Sequence, residues 1–339
     1  MRNKEQPKHR PSMAEVAELA GVSHQTVSRV INGSANVKDT TRQRVEQAIH
    51  TLGYRRNAAA RALVTSESRL IGVIAADTEF NGPLSTLASI EKAARQQGYQ
   101  TLVATVNAPY LEEVDEVLDS MLGLGVDALA VIASREDLLN HVQELDPDIP
   151  LVIVGPQTSA TATQLRVSID QAQGAEDAIT HLIKQGHTRI AILTGPPDWV
   201  DAQQRFNGAT ACCYRNGIQL HIFNGDWTAE TGFTRGVEFS RMPAETRATA
   251  VFAANDVSAY GFISALKHTG IRVPEDVCII GFDDIPGAEY FDPSLTTVHQ
   301  DFSKLGHCAV QALVSQLRNS PAELPPLRPT LILRDSTGF

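Results

Sequence analysis

His24, Gln25, Ser28, Arg29 and Asn32 crowd into one short stretch, and each can bond nucleic acid. A guanidinium meets guanine O6 and N7 with two parallel donors, and a carboxamide does the same for adenine. Hydroxyls and imidazoles reach base edges or phosphates. Such chemistry needs a rigid rod in a major groove with these groups on one side. Val27, Val30 and Ile31 recur between them at helical spacing, so the polar groups point away from an apolar stripe. A small surface hairpin with a solvated polar face has the same local pattern, and spacing alone leaves both readings open. Catalytic patterns are missing from the sequence: it has no G-x-S-x-G elbow, no Walker A loop and no H-E-x-x-H. An enzyme is not expected.

The elements around this stretch complete a helix-turn-helix. Val16, Leu19 and Ala20 give a first helix that stops at Gly21, and Ser12 with Glu15 three residues on forms a capping box at its start. Ser23 restarts the chain as a second helix. A third is predicted from about Asp39 to Leu52, packing Val45, Ile49 and Leu52, with Gly53 ending it and Tyr54 following. Residues 1–11 form a basic arm. The alanine-rich stretch 57–64 is helix-prone but too short to be stable alone: it is either a linker or a helix that forms on binding. Thr65, Ser66 and Ser68 then make a polar break.

Charge separates the same parts. The chain carries a net −10, yet residues 1–69 hold 12 Lys/Arg against 6 Asp/Glu, leaving 17 against 33 in the remainder. A basic head on an acidic body suits phosphate contact at one end only, although a merely basic tail would count the same way.

From Leu70 onward short apolar strands alternate with amphipathic helices. Strands are predicted at about 70–76, 101–106, 127–133 and 150–155, then at 189–194, 249–254 and 277–282. A last helix at about 302–318 precedes a proline-rich stretch and a strand near 330–334. Continuous β-branched runs spaced by helices mean parallel strands covered on both faces, and two series mean two doubly wound lobes. Ligands in such sheets bind beyond the carboxyl ends of the strands. Cys212, Cys213, Cys278 and Cys308 lack disulfide or zinc spacing and read as reduced, buried thiols. With no secretory signal and no window approaching about 18 apolar residues, a cytoplasmic protein away from the membrane is expected.

Several longer motifs carry a resemblance: MAEVAELAGVSHQTVSRVINGSANVKDTTRQRVEQAIHTLGY in the head, then HLIKQGHTRIAILTGP, GDWTAETGF, VFAANDVSAYGFISALKHTGIRVPEDVCIIGFDD and PSLTTVHQDFSKLG. In this order and spacing the chain resembles the lac/galactose repressor family of bacterial transcription regulators over essentially its whole length. The resemblance implies an α/β protein with an all-α helix-turn-helix head (1–56), a hinge helix and linker (57–69) and a two-lobed, periplasmic-binding-protein-like body (70–339). The first lobe would take 70–168 plus 300–325, and the second 169–297 plus 328–339. Crossovers would lie near Ser168–Asp170, Thr296–His299 and Pro325–Pro329.

By family position His24, Gln25 and Arg29 read bases, although His24 also reads as a plain surface histidine. Ser12, Ser23, Ser28, Asn32, Asn36, Lys38, Thr41, Tyr54 and Asn57 position the phosphate backbone. Leu63 would wedge into the minor groove, with small Ala60 beside it, or else pack within its own domain. In the body, Arg205, Asn255 and Asp283 follow or flank strand ends, where carboxylate, guanidinium and amide groups pair well with sugar hydroxyls. Trp227 offers a flat face to a sugar ring or is ordinary core. Asp77 and Gln300 face the cleft by family position, Asp77 reading equally as a helix cap or exposed loop. Asp256, Asp284 and Asp301 read as structural caps or ties.

Two departures stand out. Arg56 occupies a position where members often have Pro, and Gly155 and Pro156 replace an acidic sugar ligand. No heptad repeat precedes Phe339, so a homodimer is expected. The reading is a cofactor-free repressor of a sugar-utilisation operon, bound to palindromic double-stranded operator DNA and released by a small sugar, a galactoside or other glycoside. The alternatives are a co-repressed regulator of the same fold or a sugar receptor without a DNA role.

Overall fold

The computed structural model describes residues 11–31, 33–34, 36–55, 67–107, 110–157, 165–320 and 325–338, which fall into two units, Met1–Ser68 and Arg69–Phe339. In the first, Ser12 opens helix α1 (Met13–Ala20) through the reciprocal capping box: its Oγ accepts from Glu15 N at 3.3 Å, and Glu15 accepts from Ser12 N at 2.7 Å. Gly21, at φ 63, closes α1 in a left-handed conformation that a side chain would strain. Helices α2 (His24–Ile31) and α3 (Asp39–Leu52) follow. Val16, Ala17, Ala20, Val27, Val30, Val45 and Ala48 form the core of this unit. Leu19, expected in the stripe, is 53% exposed. At 100° per residue the buried face runs through positions 13, 16, 17 and 20, and position 19 lies well round the axis from its centre.

The second unit begins with β1 (Leu70–Ala76), α4 (Asn81–Gln96), β2 (Gln100–Val106), α5 (Tyr110–Gly123), β3 (Ala128–Ile132), α6 (Glu136–Glu144), β4 (Leu151–Val154) and β5 (Leu165–Val167). These strands form a parallel sheet ordered β2-β1-β3-β4-β5. The chain continues through α7 (Gln171–Lys184), β6 (Arg189–Leu193), α8 (Val200–Arg215), β7 (Gln219–Phe223), α9 (Ala229–Ser240), β8 (Ala250–Ala253), α10 (Asp256–Thr269), β9 (Cys278–Asp283) and β10 (Thr296–His299). Helix α11 (Phe302–Leu317) and β11 (Thr330–Ile332) end the series. The second sheet, β11-β10-β9-β8-β6-β7, is parallel except for β11. Each sheet carries an apolar cluster on both faces, which is why its strands read as continuous hydrophobic runs.

Helix α11 returns to the first lobe, where Leu305, Ala309, Val310 and Leu313 join the cluster around Ile71 and Ala130. Gly306 permits that return, because a Cβ there would meet the Ser89–Ile90 backbone. Two lobe-to-lobe strands of chain pair directly: Leu327 N donates to Ser168 O at 2.8 Å, and Asp170 N to Leu327 O at 2.9 Å. Thr296–His299 is not a crossover but strand β10, registered Thr296 to Ile280, and the chain crosses after it at Gln300–Asp301. Strands β5, β7 and β10, three to five residues long, add to those the sequence predicts. Among the described residues no helix is long and apolar enough to cross a membrane. Cys212, Cys213, Cys278 and Cys308 are free thiols, the first three buried.

Candidate functional site

The head presents its polar face as the helical spacing requires. Val27 and Val30 are buried, while His24, Gln25 and Arg29 on the same helix are exposed. Ser23 Oγ accepts from Thr26 N at 3.2 Å and so caps α2. Ser23, Arg29, Asn36, Lys38 and Thr41 line one shallow groove. Arg44, not among the residues expected from the sequence, joins them there; its position one turn after Thr41 on the same helix was the available signal. Ser12 is exposed and engaged in its capping box, Ser28 is half-buried, and Tyr54 packs on the head core. Asn32, Asn57, Ala60, Leu63, Arg56 and the hinge helix lie outside the described residues.

In the body, the carboxyl ends of both sheets border one cavity of about 350 Å³. Arg205, Trp227, Asn255, Asp283 and Gln300 all line it. Arg205 sits inside α8 rather than at a strand end, and the helix aims it inward. Its Nε donates to Gln171 Oε1 at 2.8 Å, and its Nη1 donates to Ala254 O and lies 3.3 Å from Asp283 Oδ1. Gln300 Nε2 donates to the same Asp283 oxygen at 2.7 Å, and Gln171 Nε2 donates to Gln300 Oε1 at 2.8 Å. Among the described residues this network leaves Arg205 Nη2 and Asp283 Oδ2 without a protein partner, and neither atom is sealed from solvent. A donor and an acceptor are thus left over side by side. Phe282 and Trp227 flank the guanidinium, their ring centres 3.9 and 5.2 Å away.

Asn255 has a second task, since its Oδ1 caps α10 through Ser258 N at 3.0 Å and its Nδ2 holds Trp227 O at 2.9 Å. Trp227 (φ 72), Asp283 (φ 115) and Asp284 (φ 57) occupy left-handed backbone, a strain that concentrates at ligand sites. Asp77 does not line the cavity. Its carboxylate accepts from Tyr110 Oη at 2.7 Å and from Arg135 Nε at 3.1 Å, so the cleft contact expected of it is replaced by an ion pair. The tying aspartates do tie: Asp256 accepts from Ile285 N and Thr297 Oγ1, Asp284 pairs with Arg334, and Asp301 caps α11.

Burial governs the acidity of these groups. It pushes Asp283 up to about 6 against the pull of Arg205 and Gln300, and Asp256 up to about 8 with the Asp283 charge adding to the rise. Asp201, also lining the cavity, is raised by burial while Arg205 and Ser134 draw it down. Trp199, Asp201, Gln171 and Phe80 are among the cavity residues that sequence patterns did not single out. Trp199 carried a usable signal, being one of two tryptophans and lying just beyond a strand end.

A family model described as bacterial regulatory proteins, lacI family, matches residues 12–57, and one for a periplasmic binding protein-like domain matches residues 179–337. The chain is 32% identical over 340 residues to the HTH-type transcriptional repressor PurR of Aliivibrio fischeri, covering 96% of this chain and 98% of that one. Among solved structures, a lac repressor dimer bound to operator and the anti-inducer ONPF superposes with a TM-score of 0.87 at 30% identity, covering 98% of this chain and 100% of that one. A complex of the transcriptional regulator CelR with cellobiose does so with a TM-score of 0.69 at 29% identity, covering 96% and 100%.

Proposed function

The chain belongs to the lacI family of bacterial regulatory proteins and is a DNA-binding transcriptional repressor; from that premise we propose that it acts as a homodimer released from a near-palindromic operator by a small neutral sugar. One recognition helix covers only a half-site, so two heads are needed. In this reading His24, Gln25 and Arg29 address bases, and Ser23, Asn36, Lys38, Thr41 and Arg44 hold phosphates along the groove they line. The hinge at 57–69, with Leu63 as a minor-groove wedge, joins the head to a body that starts at residue 70.

The observation that carries the sugar reading is the open pair of Arg205 Nη2 and Asp283 Oδ2 beside the indole of Trp227. A donor and an acceptor left open in one cavity suit sugar hydroxyls, and the indole covers the less polar face of a ring. Neutrality follows from charge: Arg205 is the one cation among the described lining residues and Asp283 already faces it, so a phosphorylated ligand would find no free positive charge. Neighbouring structures hold ONPG and cellobiose, which supports a glycoside. The relatives named PurR favour a second reading, a purine base lying flat against the same aromatic rings.

Ligand shifts operator affinity only by its differential affinity for the two lobe arrangements. A 100-fold loss needs about 2.7 kcal/mol of such coupling. The test is to select operator duplexes from a randomised palindromic pool and titrate the complex with galactosides, glucosides, hypoxanthine and guanine. Release by a glycoside supports the proposal, and tighter binding with hypoxanthine or guanine establishes the second reading. Equal affinity for selected and scrambled duplexes overturns the operator assignment.

A further inference from the structure

The two lobes also touch at a second place, apart from the paired chain crossings. There the loop after β3 meets the loop after β6 as a short antiparallel bridge between Arg135 and Trp199. Val200 N donates to Ser134 O at 2.9 Å, and Glu136 N donates to Asp198 O at 3.2 Å. Val200, from the second lobe, is 6% exposed and buried in the first lobe's core cluster. The Arg135 guanidinium pairs with Asp198 across the junction and with Asp77 at 3.1 Å behind it, and it lies 5.5 Å from the centre of the Trp199 ring.

Trp199 belongs to this junction and to the cavity at once. It lines the cavity and is 4% exposed, and its ring stands edge-to-face between Phe80 of the first lobe at 5.2 Å and Trp227 of the second at 5.8 Å. Its indole Nε1 is sealed from solvent and has no hydrogen-bond partner among the described residues, as is also true of Trp227 Nε1. A buried donor left without an acceptor is a standing cost to the fold; the same side chain lines the cavity, so an entering acceptor reaches Nε1 once the ring turns to expose it. We propose that Trp199 is an effector-binding residue: its indole N–H donates to an oxygen or nitrogen acceptor of the neutral ligand, and that contact fixes the Arg135–Trp199 bridge closed. Resting on the sugar reading, this makes the effector a glycoside with an acceptor beyond the ring held at Arg205 and Asp283, such as a second sugar or an aglycone oxygen. Occupancy then travels to the first lobe through Val200 and Arg135 rather than through the chain crossings alone.

Calorimetric titration of the full-length protein with methyl β-galactoside, lactose, cellobiose, hypoxanthine and guanine tests this, comparing wild type with Trp199→Phe and Trp199→Ala. The phenyl ring keeps the edge-to-face packing and removes the donor, so Trp199→Phe guards against loss of fold in Trp199→Ala. For whichever compound binds wild type, Trp199→Phe should weaken it about tenfold, the disaccharides losing more than methyl β-galactoside. Hydrogen exchange supplies a readout that ring packing alone would not move. The Val200 and Glu136 amides should gain protection on saturating wild type with that compound, and gain none when the variant is saturated. Binding by hypoxanthine or guanine in place of the glycosides defeats the sugar reading, and the same Trp199→Phe comparison made with that base still decides the role of Trp199. Affinity within twofold of wild type, together with wild-type protection at Val200 and Glu136, overturns the proposal.

Discussion

Replacing Asp283 by Asn separates what its carboxylate does for the fold from what it does for an effector. Burial holds this group at about 6 in the folded chain against an ordinary 3.8. At 1.36 kcal/mol per pH unit, the folded state disfavours the ionised form by about 3 kcal/mol even with Arg205 beside it. The folded chain binds this proton more tightly than the unfolded chain. The group's contribution to stability is therefore greatest below pH 3.8 and is lost as pH rises through about 6. A neutral amide escapes that cost and keeps an oxygen for Gln300 Nε2. That net figure already contains the attraction of Arg205 at 3.3 Å, so losing the pair adds no separate cost, and Gln171 and Ala254 still accept from the guanidinium. Asp283→Asn should therefore raise stability at pH 7 by up to about 3 kcal/mol. The gain in stability that wild type draws from this group between pH 7 and pH 5 should disappear. For the effector, the free Oδ2 acceptor becomes an amide donor. Losing a hydrogen bond to a charged group costs about 1.5–3 kcal/mol, or about 10- to 150-fold in affinity. Urea melts at pH 5 and 7, calorimetry with the inducing glycoside and operator anisotropy together read all three quantities. Operator binding near the wild-type level with no release by sugar is the expected result. A loss of stability at pH 7 above about 1 kcal/mol, or a wild-type response to sugar, would refute the reasoning.

Three further outcomes follow from the same geometry. Ser12→Ala removes one half of the capping box and should cost the head about 0.5–2 kcal/mol, read as faster amide exchange in α1. Arg29→Ala should cost about 1–3 kcal/mol at one base position per half-site, whereas Lys38→Ala should weaken all sequences alike and lower the salt slope by about one, both measured on operator variants across a salt series. Asp256, held at about 8, keeps its proton at pH 7 in the folded chain only, so wild-type stability should fall as pH rises toward 8. Asp256→Asn can still accept from Ile285 N while donating to Thr297 Oγ1; its urea midpoint should stay flat between pH 6.5 and 8.5, and a wild-type slope would count against the assignment.

Much of the architecture was legible because it rests on local order. Ser12 and Glu15 announce a helix start three residues apart, Gly21 and Gly53 announce its ends, and both capped ends appear in the folded chain. The runs LIGVIAA and, after Arg189, IAIL read as strands covered on both faces, since no side chain in them is polar. Leu19 lies outside the core because a stripe of three residues does not fix which flank of the helix the neighbours cover, and the covered flank is that of Ala17.

What the sequence by itself determined, then, is the set of elements, their caps and the polar face of α2, all properties of residues within a few positions of one another. The tertiary structure decided which polar atoms remain available once those elements meet. Asp77 was drawn from the cleft by Tyr110 and Arg135, 33 and 58 residues along the chain. Arg205 spent most of its donors on Gln171, Ala254 and Asp283, so that one nitrogen was left beside one free carboxylate oxygen. Trp199, one of two tryptophans, became a buried donor at the junction of two lobes. The physical reason is the same each time. A helix or strand is selected by periodicity and local hydrogen bonding, but whether a charge or an N–H is satisfied depends on groups that only long-range packing brings within about 3 Å.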